Sequence, residues 1–162
     1  MLFTGGCQKI PDEFTESKDK FNVLWLVAED LGPYIPPFGD STIKTPHLSR
    51  LAAEGVRYNN VFSVSGVCSP SRAALATGMY PTSIGAHHMR TLYQQPAAKK
   101  MGIINYEVVL PTEVKMVSEI LRENGYYTSN NSKEDYQFFP SRMAWDESSI
   151  YAHWRNRPIG KP

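Results

Sequence analysis

The first sustained apolar run is residues 21–28, Phe-Asn-Val-Leu-Trp-Leu-Val-Ala, which is continuous, rich in β-branched side chains and of strand length. That pattern predicts a strand covered on both faces, as in the middle of a parallel sheet. It stops at Glu29-Asp30-Leu31-Gly32-Pro33. Two carboxylates are therefore expected just past the strand's C-terminal end, where open α/β sheets hold their sites. Upstream, residues 8–20 are polar and aperiodic and read as a solvated lead-in.

Thr45-Pro46 followed by Leu48, Leu51 and Ala52, with Gly55 as a stop, predicts a short helix with proline at its first position. Residues 56–63 alternate enough for a second strand, which delivers the chain to Gly66-Val67-Cys68-Ser69-Pro70-Ser71-Arg72. A helix is expected to start near Ser71 and end at Gly78. Residues 79–111 contain Pro81, Gly85, Pro96, Gly102 and Pro111 and read as a long loop that walls a site. Val114, Val117, Ile120 and Leu121 then follow helical spacing between Thr112 as cap and Gly125 as terminator, and residues 126–130 read as a further strand. The order predicts an α/β fold with a mainly parallel sheet flanked by helices.

Composition narrows the function. With 162 residues, 41% hydrophobic and 20% charged, the chain is long enough for one folded domain or part of one. Its 17 basic and 16 acidic residues leave a net charge of +1, so no global field draws in nucleic acid or an anionic membrane. No window of about eighteen apolar residues spans a bilayer.

Two cysteines, Cys7 and Cys68, are too few for a disulfide-stapled scaffold, and a bridge between them is not expected. The start, Met1-Leu2-Phe3-Thr4-Gly5-Gly6-Cys7, is similar to the end of a lipoprotein signal, although it lacks a basic n-region; a plain disordered start is the alternative. The first reading implies an exported, periplasmic or lipid-anchored protein. Residues 1–20 are set apart on either reading, and residues 21–162 form the folded part.

Cys68 lies at a strand-to-helix junction where helix N–H groups and Arg72, a turn later, favour an anion or an activated nucleophile. A small buried cysteine before a helix is the other reading that position alone leaves open.

The stretch Cys68-Ser69-Pro70-Ser71-Arg72-Ala73-Ala74-Leu75-Ala76-Thr77-Gly78 resembles the sulfatase signature. There Cys-x-Pro-Ser-Arg is the recognition sequence for the formylglycine-generating machinery, and an Ala/Leu-rich helix ends in Thr-Gly. Glu29-Asp30, Thr45-Pro46-His47-Leu48, Gly78-Met79-Tyr80-Pro81 and the passage from Gly125 to Lys133 support the resemblance in the same order. It covers roughly residues 21–140.

The resemblance implies an alkaline-phosphatase-like fold, of which residues 21–162 would be the truncated N-terminal part of the catalytic domain. It also implies sulfate-ester hydrolysis through a formylglycine made from Cys68. One hydroxyl of the hydrated aldehyde attacks sulfur, and the second then expels sulfate as the aldehyde re-forms. A divalent cation, usually Ca²⁺ or else Mg²⁺, suits this task, with Asp30, Glu29 and residue 68 as ligands, although the family's pair is usually Asp-Asp. Arg72 and Lys133 match the family's cations at the formylglycine and sulfate oxygens. The family commonly shows Lys-x-His where this chain has Lys133-Glu134-Asp135, which leaves Asp135 to serve a substrate group. His87 and His88, in the long loop, are candidates for substrate contact, and being adjacent they are expected to point different ways.

Implied partners are a sulfated small molecule or carbohydrate and the formylglycine-generating enzyme. Two alternatives stand beside this reading: a phosphonate or phosphate ester hydrolase of the same superfamily, and a catalytically incomplete fragment that binds metal weakly.

Overall fold

The structure, a computed structural model, describes residues 20–89, 95–106 and 108–162. Cys7, and with it the lipoprotein reading, lies outside the described residues, as does the lead-in up to residue 19.

Among the described residues, four helices and two short strands follow one another: α1 Pro46–Glu54, α2 Cys68–Thr77, α3 Pro96–Lys100, α4 Val117–Glu123, β1 Ser129–Asn130 and β2 Glu147–Ser148. Single 3-10 turns at Pro36–Phe38 and Trp154–Asn156 bracket them. Helix α1 has Pro46 in its first turn and stops before Gly55, as its sequence predicts, but the Thr45 side chain makes no capping bond. Helix α2 begins three residues earlier than expected, at Cys68, because Pro70 sits in its first turn where a missing N–H costs nothing. It ends at Gly78, whose φ of 68° is a left-handed conformation that glycine adopts without strain; its N–H donates to the Ala74 carbonyl at 2.8 Å.

Helix α4 is shorter than the predicted span. Residues 112–115 form a turn closed by the Val114 N–H on the Pro111 carbonyl at 3.0 Å, and the Met116 N–H donates to Glu119 Oε2 at 2.8 Å to start the helix. Helix α3 lies inside the stretch expected to be loop; Pro96 in its first turn and the two alanines after it are the local reason.

The parallel character of the sheet holds, on a small scale. Strand β1 pairs in parallel with β2, Ser129 opposite Glu147 and Asn130 opposite Ser148, and an isolated parallel bridge joins Val108 to Phe138. Residues 21–28 and 56–63, both expected to be strands, are not. They run without helix or sheet, and no backbone hydrogen bond among the described residues reaches them. Their apolar side chains stand in solvent, with Leu24 80% and Phe62 90% exposed. A strand buried on both faces needs neighbours at both edges and a layer on each face, and the described residues supply neither.

The core is small. Ala73 and Ala76 of α2, Ile84, Ala86, Met116, Tyr136, Phe138 and Ala144 form one buried cluster, flanked by Val108, Leu110, Val114 and Trp145. Alanines on α2 let it pack against α4, and the stacked rings of Tyr136 and Phe138, 5.3 Å apart, close the cluster. The cluster fixes α2 against the segment after β1, so it sets the distance between Cys68 and Lys133. Among the described residues no helix is long and apolar enough to cross a membrane.

Candidate active site

Three pieces of chain meet at the start of α2. Cys68 is the first residue of the helix, and Arg72 follows one turn later on the same face. Glu29 and Asp30 come from the turn after residues 21–28, where Asp30 takes a left-handed φ of 53°. Lys133 comes from the tight turn after β1, which is closed by Ser132 N–H on the Asn130 carbonyl at 3.0 Å and Lys133 N–H on the Asn131 carbonyl at 3.1 Å.

The side chains converge on one oxygen. The Cys68 thiol donates to Glu29 Oε1 at 3.1 Å, and Lys133 Nζ donates to the same oxygen. That hydrogen bond from Lys133 is the main reason the Glu29 carboxyl sits below its usual range, with the Cys68 bond and the charge of Arg72 adding to it. The carboxylate acts on the thiol in the opposite sense. Accepting its proton bond, Glu29 pushes the Cys68 thiol up, desolvation adds to this, Lys133 opposes it, and Asp30 contributes least. A cysteine at a helix N-terminus beside an arginine reads in sequence as suited to an activated thiolate. In the structure Cys68 is a free, half-buried thiol that donates to Glu29.

Arg72 is half-buried and makes no hydrogen bond or ion pair among the described residues, so its guanidinium fork is open to an anion beside position 68. Asp135, expected to serve a substrate group, accepts the Ser69 hydroxyl at 2.7 Å through Oδ1, and its Oδ2 lies 3.9 Å from Lys133 Nζ. Ser69 went unnoticed in the sequence because it occupies the variable position of the signature. Only its place beside the cysteine could have drawn attention to it.

His87 and His88 do not point apart. Their rings lie 4.0 Å from centroid to centroid, tilted by 47°, and His88 meets the edge of Tyr106 at 5.7 Å. Both are exposed, and Met89, Gly102, Ile103, Ile104 and Tyr106 line a groove with His88. Among the described residues no hydrogen bond or ion pair links either histidine to Cys68, Arg72 or Lys133.

Glu29 and Asp30 are hard oxygen donors of the kind a divalent cation takes, and the ammonium of Lys133 on Glu29 Oε1 marks where positive charge is favoured. Two carboxylates are a partial shell, and among the described residues no three His, Cys, Asp or Glu side chains are grouped to hold a metal.

Residues 21–160 match the family model described as Sulfatase. An ulvan-active sulfatase of Formosa agariphila is 60% identical over 153 residues, 93% of this chain and 25% of that protein. An N-acetylgalactosamine-6-O-sulfatase of Bacteroides thetaiotaomicron is 32% identical over 78% of this chain and 23% of its own length. The human N-acetylgalactosamine-6-sulfatase is 35% identical over 78% of this chain and 24% of its own. The chain thus spans about a quarter of the length of these relatives. No solved structure matches it. The matched span takes in Glu29, the Cys68 helix and Lys133 together, and on that ground the chain belongs to the sulfatase family.

Proposed function

We propose that this chain carries the nucleophile end of a sulfuric ester hydrolase in which Cys68 is converted to formylglycine. The observation that supports it best is the state of the unmodified residue. Its thiol donates to Glu29 on the first residue of a helix, with the Arg72 guanidinium unpartnered among the described residues and the Lys133 ammonium nearby. Those two cations would complement an oxyanion there, and the hydrated aldehyde supplies one hydroxyl to attack sulfur and a second to release sulfate.

The roles of the chain's own residues follow. Arg72 offers a planar fork to the oxygens at position 68 and at sulfur. Lys133 supplies a point charge where negative charge grows on the sulfate oxygens. Glu29 and Asp30 give oxygen to a divalent cation, calcium or magnesium, that neutralises charge at the same place. Two acids fall short of the six to eight oxygens calcium takes. The remaining donors would be water, substrate oxygens and residues in the three quarters of the relatives' length that this chain does not span.

The overall architecture is proposed to be alkaline-phosphatase-like, with the parallel β1–β2 pair as part of its sheet. The names of the relatives point to carbohydrate sulfates as the substrate class, with His88, His87 and the groove beside Tyr106 as a place for the sugar.

Coexpression with the formylglycine-generating enzyme tests the reading. The Cys68 peptide should lose one sulfur and two hydrogens and gain one oxygen in its intact mass. A peptide that keeps its thiol overturns it. Turnover of sulfate esters against phosphate esters by the longer protein separates the sulfatase reading from a phosphate-ester hydrolase.

A further inference from the structure

The turn that carries Lys133 is tied to the helix that carries Cys68 by a buried contact with no part in the chemistry proposed for the site. Ser69 is fully buried, and its hydroxyl donates to Asp135 Oδ1 at 2.7 Å. The Asp135 side chain is only 8% exposed. Around it the chain is held in conformations that non-glycine residues keep only where their surroundings over-determine them: φ is 68° at Ser132, 47° at Asp135 and 60° at Gln137. Gln137 is fixed from the far side, by Val108 N–H on its carbonyl at 3.2 Å and by its own amide on the Tyr106 carbonyl. On the side facing α2, the Ser69 bond ties the turn to the helix.

We propose that Asp135 is a positioning residue: its carboxylate clasps Ser69 and thereby holds Lys133 against Glu29 and position 68. The proposal rests on Lys133 acting at position 68 in the hydrolase. Relative strengths decide between a clasp and a direct ion pair. A short hydrogen bond to an ionised, buried acceptor is about twice as strong as a neutral one, whereas a half-exposed lysine 3.9 Å away gains little from the same charge. A carboxylate beside the first turn of α2 also complements the positive end of the helix.

Competitive acetylation of the chain's lysines, read residue by residue by mass spectrometry, tests the clasp without any need for turnover. Lys44 and Lys161, remote in sequence, serve as internal references. Ser69→Ala touches neither Lys133 nor the defined positions of the Cys-x-Pro-Ser-Arg signature, yet it should raise Lys133 labelling about threefold, the scale of losing one half-exposed contact. Asp135→Ala and the double variant should raise Lys133 labelling at least as much, because each removes the Ser69–Asp135 bond. Asp135→Asn keeps an oxygen for the Ser69 hydroxyl and should leave labelling near that of the parent.

A variant in which all lysines rise together has unfolded. Ser69→Cys, similar in size with only a weak donor, is then read in its place and should show the same rise at Lys133. Unchanged Lys133 labelling in the Ser69 variants overturns the clasp, and so does an Asp135→Asn value as high as that of Asp135→Ala. The mass of the Cys68 peptide from parallel coexpression reports on the hydrolase reading separately, so either idea can fail while the other stands.

Discussion

Cys68 and Glu29 share a proton: the thiol donates to Glu29 Oε1 at 3.1 Å, in a site where Lys133 would otherwise favour the thiolate. The carboxylate outweighs the ammonium because it bonds the sulfur directly, whereas Lys133 acts on the thiol through its charge alone. Replacing Glu29 by Gln removes the charge that disfavours the thiolate. In a Cys7→Ser background, the pH profile of Cys68 alkylation should move to lower pH and the rate at neutral pH should rise. A profile that stays in place would show that desolvation, second among the causes, sets the thiol's pKa instead.

The same contact gives stability a pH dependence. Glu29 is ionised in the folded chain below its usual value of 4.5, held there chiefly by Lys133. A carboxyl whose folded pKa is depressed contributes stability above its unfolded pKa and loses that contribution as pH falls through the folded value. Urea midpoints of the parent and Glu29→Gln should therefore differ near neutrality, with the parent higher, and draw together as the pH is lowered well below 4.5. A gap that persists into strong acid would mean that the substitution acts by shape and not by charge.

Helices were legible in this sequence where punctuation fixed them. Pro46 and Gly55 delimit α1, and Gly78 ends α2, because each makes a local demand that the rest of the fold does not alter. Residues 21–28 failed as a strand for the opposite reason. Their pattern is right for a buried strand, but a strand exists only in its partners, and those are not among the described residues. The acids, Cys68, Arg72 and Lys133 could be found from spacing and the signature. Ser69 and the turn of His87 toward His88 could not, since both depend on side chains brought together from distant segments or packed in a loop.

Burial separates two apolar positions that look alike in sequence. Met116 is 1% exposed and the largest fully buried side chain, in a core made mostly of alanine, whereas Leu24 is 80% exposed. Met116→Ala should cost about 2–5 kcal/mol, because the small neighbours cannot collapse into the space it leaves. Leu24→Ser should stay within about 0.5 kcal/mol while lowering self-association in sedimentation, since an exposed apolar extended segment offers unpaired edges. Equal losses of stability in the two variants would show that residues 21–28 are packed in solution.

Arg72 makes the anion-binding part of the site testable without turnover. Its guanidinium is half-buried and has no hydrogen-bond or ion-pair partner among the described residues, so none of these offsets the cost of withdrawing it from water. An anion with several oxygens is the natural complement. Sulfate added at constant ionic strength, with chloride as the control, should raise the unfolding midpoint of the chain through binding as well as through its general exclusion from protein surface. The general effect is common to parent and Arg72→Ala, and the difference between them isolates binding. At about ten times Kd that difference amounts to ~1.4 kcal/mol. Arg72→Lys keeps the charge but not the fork, and should retain part of the response. If Arg72→Ala responds to sulfate as the parent does, the anion sits elsewhere, and Arg72 is not what holds the oxygens at position 68.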